Sequence, residues 1–171
     1  MVTPLVLAAV TLVNAASFQA SEVKAMKVLT LSKNIAASQD EAYAAWSSAD
    51  ALKSWMAHDV LMEPEVNGYF RVHFAQRGDQ YIGTGDLTML SLEAPTRIMF
   101  TWDAPVEYPY VRGQRTVVEL RFEGVSDNQT KVTLRQFGWG DGEEWDATFE
   151  YFGGAWAYVL GKMEAHFAEG D

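Results

Sequence analysis

The sequence predicts an α+β domain: an antiparallel sheet of about six strands, two short helices after the first strand, and one long C-terminal helix. Three observations predict it. Segments that alternate apolar and polar residues follow one another through short, turn-forming connections, which suit antiparallel neighbours. The stretch from Trp145 to Phe167 repeats apolar residues at helical spacing. The chain of 171 residues shows no repeat, linker or low-complexity segment, so residues 26–171 read as a single domain.

The elements follow in order. Residues 28–35 alternate and form a strand. Ser38, with Glu41 three residues on, is a capping box that opens a helix through Ala42, Tyr43, Ala45 and Trp46. The segment SSAD interrupts it, and residues 51–56 make a second helical piece. The run HDVLMEPEVNG gathers His58, Asp59, Glu63 and Glu65; carboxylates beside a cavity mouth can do acid–base work, but the preferred reading is a solvated loop. Asn67-Gly68 then turns the chain into a strand. Phe70, Val72 and Phe74 share one face of it; Tyr69, Arg71 and His73 share the other.

Arg77-Gly78-Asp79 is a hairpin turn, and residues 81–90 are the next strand, loosened by Gly83 and Gly85. As an adhesion triplet, Arg-Gly-Asp is too short to carry weight. Residues 97–102 form a strand with Ile98, Phe100 and Trp102 in register. Residues 103–114 hold two prolines and no period, and read as a loop. Residues 116–123 place Val118, Leu120 and Phe122 on one face. Residues 124–130 turn the chain, and residues 131–137 point Val132, Leu134 and Gln136 inward together. A glycine-rich link leads into the last helix.

At about 100° per residue, Trp145, Phe149, Phe152, Trp156, Val159, Leu160, Met163 and Phe167 fall within an arc of roughly 100°. Such a stripe is an inward face, and it needs the apolar face of the sheet to cover it. Gly153, Ala157 and Gly161 lie beside it. Small residues there serve either close packing against a neighbouring backbone or space for a ligand.

Composition narrows the function. The net charge is −10, and an acidic surface repels nucleic-acid phosphates and anionic lipid headgroups. The absence of cysteine excludes disulfides, thiolate zinc sites and cysteine nucleophiles. His58, His73 and His166 show no metal-ligand spacing, so no metal is expected. There is no nucleophile elbow and no phosphate-binding glycine loop, and no catalytic residue or cofactor is assigned. Residues 1–25 contain an apolar run followed by small residues. That fits a signal-type leader, which implies a secreted or periplasmic protein, or an over-extended start, which implies a cytoplasmic one. The run is too short for a stable membrane span.

Several segments together resemble one family. AASQDEAYAAWSSADALKSWM is similar to the opening of the START-like SRPBCC superfamily, and more narrowly to the branch named for the activator of the heat-shock-protein-90 ATPase. NGYFRV, YIGTGDLTMLSLEAPTRIMFTW, TKVTLRQFGW and GGAWAYVLGKM resemble its later strands and final helix, in the same order. The resemblance implies a helix-grip fold, in which the sheet wraps round the C-terminal helix and often encloses a hydrophobic cavity. Many relatives carry His where this chain has Gln136, which argues against proton transfer there.

Aromatic residues make up 13% of the chain, and so many of them facing one interior suggest a cavity wall. The leading expectation is a non-enzymatic binder of a small hydrophobic or amphipathic molecule, acting as a monomer or homodimer. Trp55, Phe70, Phe100, Trp102, Trp145, Phe149, Phe152, Trp156 and Leu160 would supply contact area, with Gln136 as a polar anchor. A protein-interaction module of the chaperone-regulator kind is the second reading. A hydrolase or cyclase working within the cavity is the third.

Overall fold

The computed structural model describes residues 26–168, so the leader expectation for residues 1–25 lies outside the described part. The elements run β1 (Leu29–Ile35), α1 (Gln39–Ala44), α2 (Ala49–Trp55), β2 (Asp59–Met62), β3 (Tyr69–Arg77), β4 (Gln80–Gly83), β5 (Leu87–Glu93), β6 (Arg97–Trp102), α3 (Pro109–Arg112), β7 (Thr116–Ser126), β8 (Gln129–Phe137) and α4 (Glu143–Ala168). The strands form one sheet in the order β1-β8-β7-β6-β5-β3-β2, with β4 also on β3. Every pairing is antiparallel.

Local chemistry places the short helices. Ser38 Oγ accepts the Glu41 N–H at 3.3 Å, and the Ser38 N–H donates to Glu41 Oε2 at 2.9 Å. Ser48 Oγ accepts the Ala51 N–H at 3.2 Å and starts α2. These caps satisfy backbone donors that a first helical turn leaves open. Lys162 Nζ of α4 donates to Met56 O at 2.9 Å and ties down the other end of α2.

The sheet grips α4 along its apolar stripe. Trp145, Phe152, Trp156, Val159, Leu160 and Met163 are buried, while Phe149 and Phe167 at its margins are half-buried. Val118, Leu120, Phe122, Val132 and Leu134 supply the facing sheet core.

The structure departs from the sequence reading in four places. The acidic run after α2 contains β2, which pairs Asp59 with His73 and Met62 with Phe70. Four residues are too few to show a period. The single strand expected over residues 81–90 is two strands, because the chain leaves the ladder at residues 84–86. A Cβ on Gly83 would lie 1.9 Å from Val72 O, and one on Gly85 would lie 2.9 Å from Asp103 Oδ2, so glycine permits both close approaches. The loop before β7 contains α3. The fourth departure is a β-bulge between His73 and Ala75. Within it Phe74 still turns to Trp102, as Phe70 does, but is 42% exposed, while His73 on the opposite face is 8% exposed.

Candidate functional site

An open cavity of about 930 Å³ lies where the β3–β4 hairpin, the segment after β6 and one flank of α4 meet. Phe74, Trp102, Phe152, Trp156 and Val159 form its apolar wall. The Trp102 and Trp156 rings sit 5.0 Å apart; Phe74 packs on Trp102 at 6.4 Å and Phe152 on Trp156 at 6.1 Å.

A buried carboxylate fixes the rim. The Asp103 side chain is 2% exposed, and its Oδ2 accepts the Gly85 N–H at 2.7 Å. Arg115 and Arg112 pair with the same oxygen at 2.9 and 3.6 Å. Arg112 also donates to Ala104 O, and to Gly83 O at 3.3 Å. A buried charge is tolerable only with such partners. The cluster therefore holds residues 83–85, the end of β6 and α3 in one arrangement. Tyr151 of α4 closes the opposite side. Burial, reinforced by the Glu107 carboxylate and Tyr108, pushes its phenol above the ordinary value.

His73 contributes the buried imidazole of the lining. Its ring stacks on Tyr81 at 4.3 Å and 12°. Its Nδ1 stands 3.6 Å from Asp59 Oδ2, beyond hydrogen-bond reach, and is a buried nitrogen with no hydrogen-bond partner. On the same strand face, Asp86 accepts from Tyr69 Oη at 2.9 Å and from Arg71. The Tyr69 hydroxyl first, and then Arg71, hold the Asp86 carboxyl below its ordinary value.

Of the residues singled out from the sequence, Trp102, Phe152 and Trp156 line the cavity. Phe70 and Phe100, each 1% exposed, pack behind Trp102, and Leu160 is likewise buried in the core. Trp55 stands elsewhere, edge-on to Trp46 and donating to Ala45 O at 3.0 Å. Trp145 and Phe149 gather round Trp139 near the start of α4, with ring separations of 6.2 and 5.0 Å. Gln136 is fully buried, as its parity requires, and both ends of its amide are taken within the protein. Its Oε1 accepts from Trp156 Nε1 at 2.7 Å, and its Nε2 donates to Thr116 Oγ1 at 2.8 Å.

The small residues of α4 are on the other side. The cavity follows the flank of Tyr151, Ala155 and Val159, whereas Gly153, Ala157 and Gly161 lie on the opposite flank at about 100° per residue. A Cβ added at Gly153 or Gly161 would meet nothing within 4 Å, so neither close backbone packing nor the cavity explains these glycines. Sequence reasoning did not place His73, Asp103 or Arg112 at the site, and it set Asp59 beside the expected cavity mouth but in a solvated loop. The bulge and the break after Gly83 bring them there, and neither has a periodic signature.

Among the described residues no cluster of three or more His, Cys, Asp or Glu stands together to hold a metal ion, and no helix is long and apolar enough to cross a membrane.

The family model for activator of Hsp90 ATPase homolog 1-like proteins matches residues 36–168. The chain belongs to this family.

The activator-homologue fold is also seen in solved structures at low identity. Protein MLL2253 from Mesorhizobium loti is similar with a TM-score of 0.68 and 15% identity, over 85% of this chain and 99% of that one. An HSP90 activator from Plasmodium falciparum gives 0.63 and 17%, over 82% and 94%. The Aha1 dimer from Colwellia psychrerythraea gives 0.61 and 18%, over 83% and 96%. At these identities the likeness shows the fold alone. No curated protein sequence matches the chain.

Proposed function

We propose that this activator-homologue domain binds a small apolar or amphipathic molecule in the cavity between α4 and the sheet. The observation that carries the reading is the open volume of about 930 Å³ against the paired Trp102 and Trp156 rings. Ligand sites of this size combine an aromatic wall with a few placed polar groups, and Asp103, Arg112 and His73 supply those here. Gln136 works behind the wall: it holds the indole of Trp156, a buried residue that borders the cavity. Native mass spectrometry of the purified protein tests the reading. A co-purified small molecule, or quenching of tryptophan fluorescence by added apolar probes, is expected; neither would be seen if the cavity binds nothing.

One observation favours a second reading. Leu61, Tyr81, Ile82, Val106 and Tyr151 are exposed apolar residues that all belong to the cavity lining. Such a concentration suits a protein partner, and an HSP90 activator is among the similar structures. Under this reading the mouth docks on a chaperone ATPase. Addition of the domain would then change the ATP turnover of an Hsp90-type protein, and unchanged turnover would count against it.

A further inference from the structure

We infer that His73 is the polar anchor of the cavity and selects ligands that carry a hydroxyl group. This rests on the ligand-binding reading above and adds the chemistry of recognition to it.

The imidazole is held in one orientation. It is 8% exposed, lines the cavity, and lies flat against Tyr81 at 4.3 Å. Stacking fixes the ring plane, and the Asp59 carboxylate 3.6 Å from Nδ1 fixes which edge faces it. A neutral imidazole carries one proton, and its surroundings decide which nitrogen holds it. The negative field of Asp59 favours the proton at Nδ1. The lone pair is then on Nε2, and the buried, unpartnered nitrogen is Nδ1. Buried polar atoms in native proteins are normally paired, so a cavity-lining imidazole whose buried Nδ1 has no hydrogen-bond partner marks a place where something else binds at the ring.

The complement of Nε2 in this tautomer is a hydrogen-bond donor. An alcohol or phenol O–H fits. A carboxylate, which only accepts, does not match this nitrogen. The body of the molecule is set by the wall of Trp102, Trp156 and Phe74, which suits fused rings. The ligand class is therefore a neutral, ring-containing alcohol or phenol.

The test uses three probes of one shape: naphthalene, β-naphthol and the methyl ether of β-naphthol. Affinities are read by tryptophan quenching at a pH where imidazole is neutral. One hydrogen bond is worth about 0.5–1.5 kcal/mol, or roughly twofold to twelvefold in affinity. The preference of the wild-type protein for β-naphthol over its methyl ether is expected to reach that factor. The ether lacks the donor, so this comparison needs no variant. The preference for β-naphthol over naphthalene is expected to fall by the same factor in His73→Phe, and to weaken in Asp59→Asn, which removes the field that sets the tautomer. If the probes bind but β-naphthol and its ether bind equally, the anchor is overturned and the cavity reading survives. If the preference persists in a folded His73→Phe, the anchor is likewise overturned. If no probe binds, the cavity reading itself falls, and the anchor with it.

Discussion

The indole N–H of Trp156 donates to the amide oxygen of Gln136 at 2.7 Å, with the two residues only 1% and 0% exposed. The chain of bonds continues from Gln136 Nε2 to Thr116 Oγ1 at 2.8 Å, and from Thr116 Oγ1 to Trp102 O at 3.1 Å. It joins α4 to three successive strands, and both of its ends are tryptophans of the cavity wall. Gln136→Leu leaves a buried indole N–H without an acceptor. A loss of roughly 1–3 kcal/mol in urea unfolding is expected. Apolar probes should also quench tryptophan fluorescence less, because Trp156 is no longer held.

The glycines of α4 have the opposite sign. Gly153, Gly154 and Gly161 sit inside a helix, and a methyl group at each would enter open space. Alanine restricts the unfolded chain more than glycine does. Each Gly→Ala change is therefore expected to stabilise by about 0.4–1 kcal/mol, in a nearly additive way for the separated pair Gly153 and Gly161. Thermal denaturation checks this, with probe affinity unchanged because these positions lie away from the cavity.

On the outer face of the sheet, Glu119 is buried beneath three guanidinium groups. Arg121, Arg135 and Arg97 approach its carboxylate at 2.9, 3.3 and 3.7 Å, while its own side chain is 5% exposed. Glu119→Gln keeps the volume, removes the charge, and leaves the arginines facing one another. A destabilisation of about 1.5–3 kcal/mol is expected. The arginines are each about a third to a half exposed, so a single Arg→Ala change there should cost under about 1 kcal/mol. Chemical denaturation of the four variants separates the two cases.

Acid sensitivity follows from surface carboxylates held below their ordinary values. The Ser38 hydroxyl and backbone lower Glu41; the Tyr69 hydroxyl and then Arg71 lower Asp86; Arg97 and then Ser91 lower Glu93. A carboxylate with a depressed folded value adds stability above its unfolded value, and loses that contribution as the pH falls through the folded value. The urea midpoint should therefore be flat near neutral pH and decline below about pH 4. Asp86→Asn should make that decline shallower. An unchanged slope would show that the Tyr69–Asp86–Arg71 group adds nothing.

Much of this could be read directly from residue order. The capping box at Ser38 and Glu41 is satisfied within four residues, so no distant contact is needed to form it. The stripe on α4 and the inward parity of Val118, Leu120, Val132, Leu134 and Gln136 follow from the helix and strand periods, and all but the stripe's two margins are buried. The aromatic wall was only partly legible. Periodicity says that a side chain points inward, but not whether it meets another side chain or an open volume. Phe100 and Trp102 share a face, yet only Trp102 reaches the cavity.

By itself, the sequence determined the α+β order, the inward face of the last helix and the family, because these rest on local periods and on motifs in a fixed succession. The tertiary structure alone decided where the cavity and its polar lining lie. The bulge after His73 and the break after Gly83 arise from how β3 meets β2, β4 and β5, and from Asp103, eighteen residues beyond Gly85, capturing the Gly85 N–H. Those non-local pairings bury His73 beside Asp59 and Tyr81 and open the cavity along Tyr151 and Val159. A strand's period fixes the direction of a side chain relative to its neighbours, but an inserted residue resets that direction, and only the partner strand reveals it.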